Sequence, residues 1–414
     1  MDTFDIIAWL LLITALFSYI NHRFLHFPTS IGLMAISLLF SLGVLAVGKL
    51  GWLPHIEDSA KAIMVGIDFN QLILHGILGA LLFAGALHIN LNDLAEQKWT
   101  IALLATAGIL ISTVLVGGMI YGVTQWLSID VPFMYCLTFG ALISPTDPIA
   151  VLSILKSAHA PKSLETKIAG ESLFNDGIAV VLFAVLLGIA TGEHEPTVGS
   201  IGLLFLKEAV GGALFGLATG YGAYLLIKSV DNYQVEVLIT LALVSAGYAF
   251  AEALHLSAPI AAVVSGLLIG NHGRNFAMSE KTIEHIDMFW ELIDEILNAI
   301  LFVLLGLEVL VLTFEMPHFI AGVIAIPVVL LARLVGVSVP IYIRKFQRDF
   351  SHHVIRILTW GGLRGGISVA LALALPPSPE RDVLLMMTYV VVVFSVMVQG
   401  LTIGKLVERS IQRG

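Results

Sequence analysis

The sequence predicts an all-α, polytopic membrane protein, in which one chain crosses the bilayer many times. Hydrophobic residues make up 58% of its 414 residues and charged residues only 12%, whereas charged residues are about a quarter of an ordinary soluble domain. Apolar segments of roughly 17–28 residues, long enough to cross about 30 Å of hydrocarbon as helices, recur along the whole chain. These two observations exclude a soluble globular enzyme.

About thirteen apolar segments can be counted as transmembrane helices. They lie near 4–20, 28–47, 69–89, 100–126, 133–155, 168–190, 199–227, 234–254, 256–270, 286–312, 318–342, 353–375 and 383–404. The ninth is shorter than the others. The loops between them contain no basic arm or aromatic-basic stripe, so no nucleic-acid partner is expected.

The distribution of basic residues predicts the orientation of the chain. Fifteen lysines and arginines fall in one set of loops, and only Lys49, Lys61, Lys207 and Arg381 fall in the other. Because cytoplasmic loops hold the excess of basic residues, the N-terminus is predicted outside and the C-terminus in the cytoplasm. An even number of spans would mix the two sets, which favours thirteen.

Two of the predicted spans are interrupted. The fifth contains "SPTDPIAV" (Ser144 to Val151) and the twelfth contains "WGGLRGG" (Trp360 to Gly366). Proline removes a backbone donor and glycine weakens a helix, so both spans should unwind near the bilayer middle. The breaks are seven spans apart, which predicts a 6+1+6 inverted repeat with two broken crossing helices. The alternative is that proline and glycine are simply more frequent in membrane helices.

The break in the fifth span contains an acidic residue, Asp147, with no basic residue nearby. A charge at the bilayer centre costs roughly 2.5–17 kcal/mol, so such residues are rare and usually functional. Asp147 lies about 21 Å into its span, and Asp176 lies about 13 Å into the sixth span from the other side. The two carboxylates are therefore predicted to approach one level in the membrane.

The sixth span opens with a polar stripe, "GESLFNDGIAVVLF" (Gly170 to Phe183). Hard oxygen ligands from Asp147 and Asp176, supported by Ser172 and Thr146, suit a small hard cation such as Na⁺. The same carboxylates can bind protons instead. Competition between a cation and a proton for one site is the basis of an exchanger.

Two arginines could compensate the buried acids. Glu171 and Arg333 have matching depths, about 6 and 8 Å from the same membrane edge, which predicts a structural ion pair. Arg364 has no acid in its own span. It could compensate Asp147, Asp176 or the dipoles at the ends of the broken half-helices, and the sequence leaves these alternatives open.

Three glycines on the seventh span, Gly212, Gly216 and Gly220, are spaced as GxxxGxxxG. This spacing lets another helix approach closely, either within the protomer or across a dimer.

At these residues the chain resembles the cation/proton antiporters of the NhaP and animal sodium/proton exchanger branch. The resemblance covers essentially the whole chain. Its most specific motifs are "SPTDPIAV", "GESLFNDGIAVVLF", "LLGLEV", "LLARLVG" and "GGLRGG".

The resemblance implies specific roles for the site residues. Asp176 would carry the cation and the proton, and Asp147, Thr146 and Ser172 would complete the site. Asn175 would be a supporting polar residue, and the Asn175–Asp176 pair is similar to the signature of the electroneutral branch. One departure is Ala84, where many relatives carry a glutamate.

The resemblance also implies homodimers and an elevator-like motion of a core against a dimerisation scaffold. In a single antiporter unit spanning 1–414, the expected core comprises 69–190 and 286–375. The expected scaffold comprises 1–47, 199–270 and 383–404.

The resulting hypothesis is an electroneutral sodium/proton antiporter of a bacterial-type inner membrane, exchanging one cation for one proton. We expect no enzymatic activity and no cofactor besides the transported Na⁺ and H⁺, with Li⁺ or K⁺ as alternative cations. The rival within the same fold is a potassium/proton antiporter. Two rivals from other classes are a cation channel and a non-transporting membrane sensor. Both are less favoured, because a channel does not need matched broken helices and a sensor normally carries a soluble domain.

Overall fold

The computed structural model describes residues 3–50, 71–148, 151–152, 155, 161–192, 198–345 and 352–411. Within these residues the chain is built of helices, and no β-strand is formed. The first two residues of the predicted third span and most of 149–160, including part of the end of the predicted fifth span, lie outside them. So does the loop that carries Lys61.

The helices follow the predicted segments closely. They are α1 (Thr3–Ile20), α2 (Thr29–Lys49), α3 (Leu78–Leu87), α4 (Leu91–Leu103), α5 (Ile109–Trp126), α6 (Phe133–Ile143), α7 (Lys162–Ala190), α8 (Val198–Lys228), α9 (Tyr233–Ala253), α10 (Ala258–Leu268), α11 (Glu280–Leu307), α12 (Met316–Lys345), α13 (His352–Trp360), α14 (Gly366–Leu373), α15 (Pro379–Phe394) and α16 (Gly400–Ile411). Short π-helical segments precede α3 and connect α4 to α5 and α15 to α16.

Eight helices in the described part of the chain are long and apolar enough to cross a membrane, which establishes a multi-pass membrane protein. The helix containing the predicted tenth span, α11, is not among the eight, because acidic residues occur along it from Glu280 to Glu295. The broken spans appear as shorter pieces, α6 and the pair α13 and α14. The count of thirteen spans and the inverted repeat stay predictions.

Several helices begin at a side chain that accepts hydrogen bonds from the first turn, which satisfies backbone donors that have no partner within the helix. These N-caps are Asn90 on α4, Asn232 on α9, Ser257 on α10, Ser279 on α11 and Ser378 on α15. The starts of α9, α10 and α15 lie within four residues of the predicted span edges, whereas α4 and α11 begin nine and six residues earlier than predicted.

The helices pack in two groups. In one, α10 packs against α3, α8 and α9, and α11 packs mainly against α2 and α3. In the other, α12 packs against α5, α13 and α15, while α6 lies between α5 and α7. These contacts cross the boundary between the predicted core (69–190 and 286–375) and the predicted scaffold. Helices α3 and α11 belong to the predicted core but pack against helices of the predicted scaffold. Helix α15 belongs to the predicted scaffold but packs against helices of the predicted core.

The three spaced glycines of α8 pack against another helix inside the protomer. A β-carbon on Gly212, Gly216 or Gly220 would run into the backbone or side chains of α10 around Ser257, Ala261 and Ser265. Of the two open alternatives for this motif, the structure shows the contact within one chain.

Candidate ion-binding site

The two interrupted spans meet at their breaks. Helix α6 ends at Ile143, and α13 and α14 are separated by residues 361–365. The Asp147 backbone N–H donates to the Leu363 carbonyl over 2.8 Å, so the two unwound segments form an isolated antiparallel bridge. Unwound backbone at membrane depth needs such partners, because lipid offers none.

Two glycines of the second break allow this close approach. A β-carbon on Gly365 would collide with the side chain of Asp147. A β-carbon on Gly362 would lie 2.7 Å from Arg333 Nε and 3.2 Å from Thr146 Cγ2. The glycines therefore leave room for the side chains of the first break, in addition to weakening the helix.

A buried network joins the first break to α7. The Asn175 side-chain amide donates to Thr146 Oγ1 over 2.9 Å, and Asn175 Oδ1 accepts from the Thr146 backbone N–H over 3.4 Å. The hydroxyls of Thr146 and Ser172 lie 3.1 Å apart. Both ends of the Asn175 amide are thus used to hold Thr146 in place. All three residues are buried.

The two predicted carboxylates belong to this cluster. Asp176 is 6% exposed, whereas Asp147 is half-buried. They are close enough to interact electrostatically. Two like charges in a poorly solvated site repel each other, and binding a cation or a proton relieves that repulsion. The arrangement can therefore hold either one, supported by the hydroxyls of Thr146 and Ser172.

Arg364 compensates the end of a helix. Its guanidinium Nη1 donates to the carbonyls of Ser144 and, over 2.8 Å, of Pro145, just beyond the C-terminus of α6. Its backbone N–H donates to Ser395 Oγ over 2.8 Å. Of the three alternatives left open by the sequence, the hydrogen bonds show the third, a cation at the negative end of a half-helix dipole.

Glu171 and Arg333 form a buried contact beside the site. Arg333 Nη1 donates to Glu171 Oε1, and their side chains are 7% and 2% exposed, respectively. Arg333 also donates to the Leu358 carbonyl near the end of α13, over 3.3 Å from Nε and 3.2 Å from Nη2. This arginine thereby links α12, α7 and α13.

Two supporting residues were missed by sequence reasoning. Ser395 accepts from the Arg364 backbone, and the Gln399 side chain donates to the Trp360 carbonyl over 2.8 Å. Both lie in the π-helical segment after α15, a feature often found at functional sites. Their signal was present: two polar residues at i and i+4 inside the apolar run "VVVVFSVMVQG".

Ala84, the departure from the family pattern, is buried on α3 with 1% exposure. Its carbonyl accepts a hydrogen bond from the His88 ring at 2.8 Å. Its methyl group can supply no ligand to an ion.

Broken helices that meet inside a multi-pass membrane protein, beside two carboxylates, are typical of a secondary transporter. The model of the family described as "Sodium/hydrogen exchanger, transmembrane" matches residues 11–409. The chain belongs to this family, and the family predicted from its motifs is confirmed.

Individual relatives agree with this assignment. The chain is 53% identical to the Na(+)/H(+) antiporter NhaP of Pseudomonas aeruginosa over 98% of this chain and 96% of that protein. It is 37% identical to the Na(+)/H(+) antiporter NhaH of Halobacillus dabanensis, over 94% and 93% of the two chains. Among solved structures, the sodium proton antiporter MjNhaP1 of Methanocaldococcus jannaschii shares the fold with a TM-score of 0.73 at 19% identity, covering 98% of this chain and 99% of that one.

Proposed function

We propose that the protein is an electroneutral sodium/proton antiporter that exchanges one Na⁺ for one H⁺ at Asp176. The observation that carries the proposal is the pairing of buried Asp176 with Asp147 where the two unwound segments meet. Asn175, the neighbour of Asp176, is neutral and is occupied by hydrogen bonds to Thr146. In the Asn175–Asp176 pair, only the Asp176 carboxylate can carry an ion, because the Asn175 amide is neutral and held by Thr146.

In this proposal the other site residues have separate roles. Asp147, Thr146 and Ser172 complete the oxygen ligands of Na⁺ around Asp176. Arg364 offsets negative charge at the break, and Glu171 with Arg333 holds α7 against α12. The site uses no cofactor, and the transported ions are its only ligands. No enzymatic step is involved.

Transport would proceed by alternating access, with one group of helices moving against the other. The observed packing supports a division in which α3 and α11 move with the scaffold and α15 moves with the core. We further propose a homodimer in a bacterial-type inner membrane, with the N-terminus outside and the C-terminus in the cytoplasm. Native mass spectrometry in detergent tests the dimer, and cysteine accessibility in intact cells tests the orientation.

The decisive experiment uses proteoliposomes with a pH-sensitive dye, comparing the native protein with Asp176→Asn. The variant keeps the size of the side chain but removes its titratable charge, so exchange should vanish while the melting temperature in detergent is retained. Full exchange by Asp176→Asn would refute the assignment. Replacing Na⁺ by K⁺ or Li⁺ in the same assay decides between sodium and potassium exchange.

Stoichiometry is tested in the same vesicles with balanced Na⁺ and H⁺ gradients and an imposed voltage. A potential of 100 mV is worth about 2.3 kcal/mol per elementary charge moved. One-for-one exchange moves no net charge, so this potential should drive no proton flux. Sustained voltage-driven flux would show that more than one proton crosses per cation.

A further inference from the structure

Acidic residues recur at regular spacing along α11. They are Glu280, Glu284, Asp287, Glu291 and Asp294. Steps of four and three residues keep these side chains on one side of a helix. Glu280, Glu284 and Glu291 are exposed, whereas Asp287 and Asp294 are half-buried. Asn298, one turn further on, is only 6% exposed. This acidic face of α11 is therefore open at the start of the helix and closes just beyond Asp294.

Asp294 and Asn298 form a polar pair where this face closes. The Asn298 side-chain amide donates to the Asp294 carbonyl over 2.8 Å. The other end of the amide, Asn298 Oδ1, is buried and accepts no hydrogen bond from the part of the chain that the structure describes. A buried acceptor beside a carboxylate is a pair of hard oxygen ligands of the kind that bind small cations.

The acidic face leads to the ion-binding site. Leu301 lies about 10.5 Å along the helix from Asp294, on the same side of α11. It contacts Gly366 so closely that a β-carbon there would collide with it. The neighbouring glycine, Gly365, lies against Asp147. Asp294 is itself close enough to Asp147 for an electrostatic interaction.

The two sides of this contact belong to different helix groups. Helix α11 packs mainly against α2 and α3, whereas α6, which leads into the first break, packs against α5 and α7. Asp294 therefore approaches the site from across the junction along which alternating access would occur.

We propose that Asp294 and Asn298 form a transient binding site for the partly hydrated monovalent cation, between the open acidic face of α11 and the Asp147–Asp176 site. The proposal rests on the proposed exchange at Asp176. Asp294 attracts the cation and Asn298 Oδ1 replaces one of its water ligands. The ion then passes along α11 to Asp147.

The experiment measures the apparent KM for Na⁺ in proteoliposomes for Asp294→Asn and Asn298→Leu. The control variant is Glu295→Gln, which removes an adjacent but exposed acid outside the spacing of the acidic face. A charge at about 10 Å changes the local cation concentration by roughly two- to fifteenfold for effective dielectric constants of 80 to 20. We expect KM to rise by about that factor in Asp294→Asn, with an unchanged maximal rate, and Asp294→Glu to restore it.

Asn298→Leu separates ion binding from a structural role. Leucine removes a buried acceptor that has no partner in the described part of the chain, together with the amide's hydrogen bond to the Asp294 carbonyl. These two effects oppose each other, so the melting temperature should change little, while KM should rise. A normal KM in both Asp294→Asn and Asn298→Leu would overturn the proposal, and so would an equal rise in Glu295→Gln. If Asp294→Asn does not insert, Asn298→Leu alone decides.

Asp176→Asn is measured in parallel to distinguish the two proposals. If Asp176→Asn is inactive while both α11 variants show a normal KM, only the transient site is refuted. If Asp176→Asn retains full exchange, the proposed function is refuted.

Discussion

The Glu171–Arg333 contact allows a quantitative test of how this membrane protein uses a buried ion pair. Replacing one partner leaves the other charge buried and unpaired, which costs about 3–5 kcal/mol. An unfolding entropy of about 2.1 cal/mol/K per residue over 414 residues is roughly 0.9 kcal/mol/K. Glu171→Gln or Arg333→Met should therefore lower the melting temperature in detergent by about 3–6 °C.

The double variant should recover part of this loss, because it leaves no unpaired charge. Arg333→Met should be the more harmful single change, since Arg333 also donates to the Leu358 carbonyl. The contact of Lys162 with Asp93, whose side chains are 78% and 34% exposed, is the exposed control. Breaking that pair should cost about 1 kcal/mol or less, because solvent screens it.

Melting followed by tryptophan fluorescence in one detergent checks both double-mutant cycles. A coupling energy is obtained by comparing the double variant with the sum of the two single variants. If the losses from Glu171→Gln and Arg333→Met simply add, the residues do not stabilise each other. The two side chains would then be in contact without contributing to the free energy of unfolding.

Two further changes test the site itself in the transport assay. Asp147→Asn removes a carboxylate ligand, so the apparent KM for Na⁺ should rise at least about tenfold. The control variant Asp130→Asn changes an exposed acid and should leave KM unchanged. An unchanged KM in Asp147→Asn would place the cation elsewhere. Gly365→Ala pushes a methyl group into the Asp147 side chain, so exchange should fall about tenfold for a cost of 1–3 kcal/mol. Gly118→Ala, with open space around its β-carbon, should be silent, and normal exchange in Gly365→Ala would contradict the close approach of the two breaks.

The sequence could predict the helices and the main site residues because both leave strong local signals. Apolar length identifies a membrane helix, and proline or glycine next to a charge marks a break. Depth along a helix, at 1.5 Å per residue, was enough to match Glu171 with Arg333 and Asp147 with Asp176. These arguments need only one coordinate, the distance along the membrane normal.

Other features could not be predicted because they depend on which helices are neighbours. Apolar side chains cover several sides of most membrane helices, so hydropathy alone does not say that α11 packs against α2 or α15 against α12. The partners of Arg364 are backbone carbonyls, which no residue type reveals. Asn298 and Asp294 were overlooked because acids at the start of a span look like its solvated end.

Charge counting at the site explains why the proposed exchange would be coupled. Glu171 and Arg333 neutralise each other, and Arg364 is hydrogen-bonded to the carbonyls of Ser144 and Pro145. The charge that changes during transport is therefore that of Asp147 and Asp176, to which either Na⁺ or H⁺ adds one positive charge. The loaded site carries the same net charge in both half-cycles, which fits one-for-one exchange.

The empty site would instead cross with one more negative charge than the loaded site. Even the lowest cost of about 2.5 kcal/mol for a charge at the bilayer centre slows that crossing roughly 70-fold relative to the loaded site. Return without a bound ion is thereby suppressed. The same residual charge that makes Asp147 and Asp176 costly to bury would thus prevent either ion from leaking down its gradient alone.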